Sequence, residues 1–223
     1  MLRGFSGFGA ALVMAPGFAL AIDPKAGIGL ITLLNVGAAA QLFMPSLRQM
    51  GWEVVRPLSI AACLAYPAGL VLLVILDALL IRRAIGATVV AAALLLLSGW
   101  RLRGGLTTAR SAVAGALSGA LNGLTGAGGP PTIVYLLSSD DPPPRTRANF
   151  IVFFTILQVV AIPQLMYASV VTARIAVEAA LLLPVYMAAT HVGVKLFPLA
   201  SPVVYRRIAV AILIALGAAS LLA

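Results

Sequence analysis

Charge is what this sequence has least of. Only 9% of its 223 residues are Asp, Glu, Lys or Arg, where a soluble domain carries about a quarter. So few charges cannot coat a water-exposed surface. With 62% hydrophobic residues and a mean hydropathy of +1.10, a water-soluble globule is excluded. Histidine and cysteine occur once each, as His191 and Cys63. That leaves no disulfide framework and no ligand set for a metal, and no cofactor is expected. The acidic residues number six, and none is central in an apolar run; Asp23, Asp77 and Glu178 all sit at ends. A carboxylate proton relay through a membrane is therefore not evident. The 15 basic residues give a net charge of +9, which in a soluble chain would suggest nucleic acid. Here they fall in short gaps between apolar runs and read as headgroup anchors and topology signals, so the expected surroundings are a lipid bilayer and no nucleic acid. No cleavable signal peptide is read at the N-terminus, where Arg3 leads directly into glycine-rich sequence.

What the sequence has in abundance is long apolar runs. Between charges they are Gly4–Ile22, Ala26–Met44, Pro57–Leu76, Ala84–Trp100, Ser111–Leu137, Ala148–Val171, Ile175–Val194 and Ile208–Ala223. Each approaches or exceeds the ~20 residues a helix needs to cross a bilayer. The linker Ser138–Arg147 holds Asp140, Asp141 and three consecutive prolines, a rigid connector at a membrane face. No soluble domain fits between the runs. The fifth run is unusual because Gly123-Leu124-Thr125-Gly126-Ala127-Gly128-Gly129-Pro130-Pro131 interrupts it. Such a stretch should break a helix, and broken backbone at membrane depth survives only when buried by protein or lining an aqueous cavity.

The break has a twin. Gly4-Phe5-Ser6-Gly7-Phe8-Gly9-Ala10 matches Gly123 to Gly129 position for position at an offset of 119. Lys25 and Arg145, and Asn35 and Thr155, follow at 120; Arg82-Arg83 and Arg206-Arg207 follow at 124. An ordered series with a slowly drifting offset reads as a duplicated four-segment unit, residues 1–104 and 105–223. The second unit carries Arg110 to Leu121 ahead of its motif, the first only Met1 to Arg3, so the first helix is expected to be cut short. The predicted fold is an all-α polytopic bundle of about eight membrane segments in two repeats, each opening on a broken helix.

The doubled Gly-x-[Ser/Thr]-Gly-x-Gly motif, the Lys25 and Arg145 positions and the four-plus-four layout resemble the sulfite exporter TauE/SafE family. The resemblance covers essentially the whole chain. It implies a multi-pass protein of a bacterial inner membrane whose partner is a small anion: sulfite, an organosulfonate or a related sulfur oxyanion.

Charge counting leaves the topology open. If all eight segments cross, the faces carry seven and eight basic residues and the positive-inside rule is silent. If the motif segments are re-entrant hairpins, Arg48, Arg56, Arg101, Arg103, Arg110, Arg145, Arg147, Lys195, Arg206 and Arg207 share one face, ten against five, and the halves become inverted repeats.

Internal duplication with broken helices is the usual build of secondary transporters, and the breaks point to the substrate. Backbone N–H groups of Gly126, Gly128 and Gly129, with Gly7 and Gly9 from the other half, would face a small oxyanion. Pro130 would open the half-helix behind them, and Ser6 and Thr125 would add hydroxyls. The competing reading is that the glycines serve close helix packing. Asn35 and Asn122 are the mid-span amides with positional support: Asn35 from the repeat, Asn122 from adjoining the motif. For each, an interhelical hydrogen bond is the plainer role. His191 is a candidate proton carrier or a hydrogen-bonded residue near an interface. Two other classes stay in view. One is a passive anion channel. The other is an intramembrane serine hydrolase using Ser6 and His191, since Gly4-Phe5-Ser6-Gly7 resembles the rhomboid nucleophile pattern. Thr125 in the twin position and the single histidine argue against the hydrolase.

Overall fold

The structure, a computed structural model, describes the backbone of residues 10–100, 107–196 and 202–223, and side chains over 10–100, 107–192 and 210–223. The described residues form helices α1 (Ala10–Ala21), α2 (Pro24–Leu47), α3 (Trp52–Ile75), α4 (Ala78–Ser98), α5 (Thr108–Thr125), α6 (Gly129–Leu137), α7 (Pro143–Tyr167), α8 (Ala173–Leu196) and α9 (Pro202–Leu222), with no strand among them. Five of them, α2, α3, α4, α7 and α8, are long and apolar enough to cross a membrane; α1 and the Val210–Leu222 part of α9 are shorter apolar helices. The fifth apolar run is not one segment but the pair α5 and α6.

Local chemistry sets the boundaries. Asp23 caps α2, its carboxylate accepting the Ala26 N–H at 3.0 Å, with Pro24 in the first turn. Asp77 caps α4 through the Leu80 N–H at 2.8 Å, and Thr107 caps α5 through the Arg110 N–H at 3.3 Å. The triple proline ends in the first turn of α7, where its missing N–H groups leave no helical hydrogen bond unmade.

One helix pair is packed far more closely than lipid alone would allow. Gly115, Gly119 and Gly123 of α5 lie against the backbone of Leu58, Ala62 and Tyr66 of α3, and Gly69 answers from α3 against Ala120. Both numberings rise together, so α5 runs parallel to α3. A Cβ at Gly69 would collide with the Ala120 carbonyl oxygen, a backbone atom that cannot move aside cheaply. With no hydrophobic force to join helices in lipid, small residues that admit van der Waals contact and buried hydrogen bonds do so. Ser111 supplies such a bond, its hydroxyl donating to the Val54 carbonyl at 2.9 Å.

The other packed pairs place the ends. Lys25 Nζ donates to the Val74 carbonyl at 2.9 Å, which puts the start of α2 beside the end of α3. Arg82 Nε donates to the Ala19 carbonyl at 2.8 Å, joining α4's first turns to the end of α1. Ser220 donates to the Arg82 carbonyl at 2.9 Å, so α9 ends where α4 begins. At the opposite end, Arg145 pairs with Glu53 and, at 3.5 Å, with Asp141. The Gly51 N–H donates to Asn149 Oδ1 at 2.8 Å. Hence α3 and α7 start side by side and run parallel.

Candidate functional site

Helix α5 ends at the glycine motif, and the chain turns back. Gly126 takes a left-handed conformation (φ +67°), which only glycine adopts without strain. Its N–H donates to the Asn122 carbonyl at 2.9 Å, closing the helix. Gly128 lies so close to α5 that a Cβ would strike the Ser118 carbonyl oxygen. Helix α6 then begins at Gly129 with Pro130 and Pro131 in its first turn, as the sequence predicts.

Helix α6 does not continue the path of α5. Ser118 donates to the Gly128 carbonyl, and Thr132 Oγ1 donates to Ser118 Oγ at 2.7 Å. Farther on, Tyr135 Oη reaches the Thr107 carbonyl at the start of α5, at 3.4 Å. The two helices therefore form a closed hairpin whose ends lie together and whose tip is Gly126–Gly128. Ser118, Asn122, Thr125 and Thr132 line its inside, all buried.

The tip meets the rest of the bundle at two places. Ile28 of α2 packs over Gly126, and Leu12 of α1 approaches Gly129. Helix α1 follows directly on the first glycine motif. Ser6, Gly7 and Gly9 themselves lie outside the described residues.

Several expected site groups are engaged by the hairpin itself. The N–H of Gly126 donates to the Asn122 carbonyl, and the N–H of Gly128 donates to Asn122 Oδ1 at 3.3 Å. Thr125 Oγ1 donates to the Leu121 carbonyl at 2.7 Å and accepts the Ala127 N–H at 3.2 Å. Asn122 and Thr125 thus shape the turn. The first-turn donor left for a ligand is the amide of Gly129, which has no acceptor among the described residues; Pro130 and Pro131 have no N–H, and the Thr132 N–H belongs to the first helical turn. The placement of the Gly129 amide at the positive end of α6 suits an anion.

Asn35 is not gathered at this tip by any described contact. Its Oδ1 accepts the hydroxyl of Tyr186 on α8 at 2.9 Å, an interhelical bond of the plainer kind. His191 stands exposed on α8. Arg145, weighed in sequence as an anchor, is tied into ion pairs with Glu53 and Asp141. Sequence reasoning missed Ser118 and Thr132. The signal that could have found them is their spacing around the break, which puts one hydroxyl on each arm of the hairpin.

A family model described as sulfite exporter TauE/SafE matches residues 1–220. The chain belongs to the sulfite exporter TauE/SafE family. It is also similar to the "Probable sulfite/organosulfonate exporter TauE" of Cupriavidus necator, at 27% identity over 235 aligned positions covering 97% of this chain and 87% of that protein. No solved structure matches the chain. Family and apolar helices together make this a membrane transport protein of the sulfite exporter type.

Proposed function

We propose that this protein exports a small sulfur oxyanion or an organosulfonate across a cell membrane, holding it at the tip of the α5–α6 hairpin. The observation that carries the reading is a broken helix in the bundle interior, whose second arm presents its positive N-terminus and the free amide of Gly129 beside buried hydroxyls. Polar backbone at that depth is unfavourable unless it serves a ligand or is buried by protein. The family and the name of the Cupriavidus relative supply the class of anion.

The mechanism we infer is alternating access between two inverted repeats. The helix contacts support it. Helices α2 and α7 pack on each other, as do α4 and α9, each a pair of expected counterparts. The contact of α3 with α7 is mirrored by that of α8 with α2, and α1 with α9 by α6 with α4. In this reading α1 and its preceding motif form the twin of α6, so that Ser6, Gly7 and Gly9 would approach the same centre from the opposite face. The closed hairpin favours the re-entrant topology. Arg48, Arg56, Arg110, Arg145 and Arg147 then share one end, with Lys195, Arg206 and Arg207 by their places on α8 and α9. Lys25, Arg82, Arg83 and Arg174 share the other. The richer end is cytoplasmic by the positive-inside rule.

Flux into proteoliposomes holding the purified protein tests this reading, with sulfite, sulfate, thiosulfate and simple sulfonates as probes. Saturable flux of at least one, lost in Gly126→Leu while membrane insertion persists, is the expected result. Wild-type flux in that variant would remove the site assignment. Flux that never saturates would make the protein a channel, and no flux of any probe by folded protein would overturn the sulfur-anion reading.

A further inference from the structure

Two groups in the bundle interior lack what burial ordinarily requires. Tyr66 on α3 and Gln158 on α7 are 1% and 3% exposed, and neither Tyr66 Oη nor Gln158 Oε1 has a hydrogen-bond partner among the described residues. Stripping water from a hydroxyl or a carboxamide without replacing it is unfavourable, so buried polar atoms are nearly always paired with protein, ordered water or a ligand.

Their placement is not scattered. Helices α3 and α7 pack together and start from the same end, pinned by the Arg145–Glu53 pair and by the Gly51–Asn149 hydrogen bond. Tyr66 and Gln158 stand the same number of residues beyond that ion pair, which puts both about 20 Å along their helices. At this level α3 touches the hairpin, since the Tyr66 carbonyl lies against Gly123, the first glycine of the broken motif. Two further unpaired buried atoms, Ser59 Oγ and Asn149 Nδ2, lie on the same two helices toward the Glu53 end. Ser59 is two turns before Tyr66 and therefore on the same face of α3. Ser59 Oγ and Tyr66 Oη leave unused polar groups along one face of α3, from that end of the bundle toward the depth of the tip, whereas Asn149, nine residues before Gln158, stands on the opposite face of α7.

We propose that Tyr66 and Gln158 are anion-binding residues, contacting a tetrahedral or pyramidal oxyanion as it passes the hairpin tip. Tyr66 donates its hydroxyl hydrogen to an anion oxygen. The Gln158 carboxamide turns its Nε2–H, not its unpaired oxygen, toward another. Both are neutral donors, which suits a cargo that must be released again. A fixed arginine in a dry interior would hold it too firmly. The assignment rests on the reading of the tip as the transport site and adds the residues that complete it from α3 and α7.

The test uses Tyr66→Phe and Gln158→Leu, both close in shape to the native side chains, in purified full-length protein. Sulfite is the probe in two measurements: its effect on thermal stability in detergent, and its half-saturation concentration for proteoliposome flux. Each variant is expected to fold, to match or exceed the wild type in stability without sulfite, and to lose the stabilisation that sulfite gives. Half-saturation should rise at least tenfold. Wild-type stabilisation and half-saturation in both variants would overturn the proposal. So would a loss of stability in Tyr66→Phe without sulfite, since that would mean the hydroxyl holds a structural water. If wild-type protein is stabilised by sulfite but does not transport it, the transport reading falls while loss of the stabilisation in the variants still upholds the binding assignment. If it shows neither effect, both fall.

Discussion

Helices α3 and α8 are each 24 residues long and strongly apolar, yet they live in different surroundings. In α3 the apolar window is 39% buried, and its inward face receives the glycine-lined helix α5. In α8 the corresponding figure is 17%, and Val177, Leu181 and Val185 stand exposed along it. Hydrophobicity cannot account for the difference, because lipid satisfies an apolar side chain as well as a neighbouring helix does. What distinguishes α3 is missing side chains. Gly69 and the Gly115, Gly119, Gly123 stripe of its partner let two backbones touch, which exposes polar backbone and hydroxyl groups to one another. The same feature seats the first arm of the α5–α6 hairpin directly on the backbone of α3.

The strongest way to break this comparison is to give the close pair a side chain. Gly69→Leu should cost about 3 kcal/mol or more, because the obstacle is the Ala120 backbone and not a flexible side chain. Denaturant unfolding in detergent micelles, with the yield of monodisperse protein, reads that loss. Gly126→Ala should be milder, about 1–2 kcal/mol, from the left-handed backbone that alanine disfavours. Its Cβ would also press on Ile28 at 3.2 Å. The same unfolding assay should place it between Gly69→Leu and the wild type. On the other side of the comparison, Leu181→Ala on the exposed face of α8 should change stability by less than about 0.5 kcal/mol. A large loss there would mean that α8 has a partner as intimate as α5 is to α3.

The sequence made the break itself legible, because glycine and proline act locally. Gly126 at the turn and Pro130 and Pro131 in the first turn of α6 each do what their backbone chemistry dictates. Whether the broken segment crosses or returns was left open by charge counting, which accommodates both topologies. The hydrogen bonds of Ser118 with Gly128, Thr132 with Ser118 and Tyr135 with Thr107 fold α6 back along α5, and nothing in the spacing of those residues announces it. The partner of α5 was hidden for a related reason. Glycines four apart declare a packing face, but one matching glycine at position 69 does not say which helix answers. Tyr66, Ser118 and Thr132 escaped because a hydroxyl inside an apolar run has no periodic signature. Their significance is three-dimensional, and it comes from what stands level with them.

The proposed export places an anion at the N-terminus of α6. Gly129→Val tests it most directly. The space beside Gly129 is bounded by the flexible ends of Ile133 and Leu12, 3.2 and 3.5 Å from where a Cβ would sit, so the variant should fold. Its added bulk stands beside the free amide of the tip. Sulfite flux in proteoliposomes should fall at least tenfold with thermal stability close to that of the wild type. Undiminished flux in that folded variant would contradict the placement of the site.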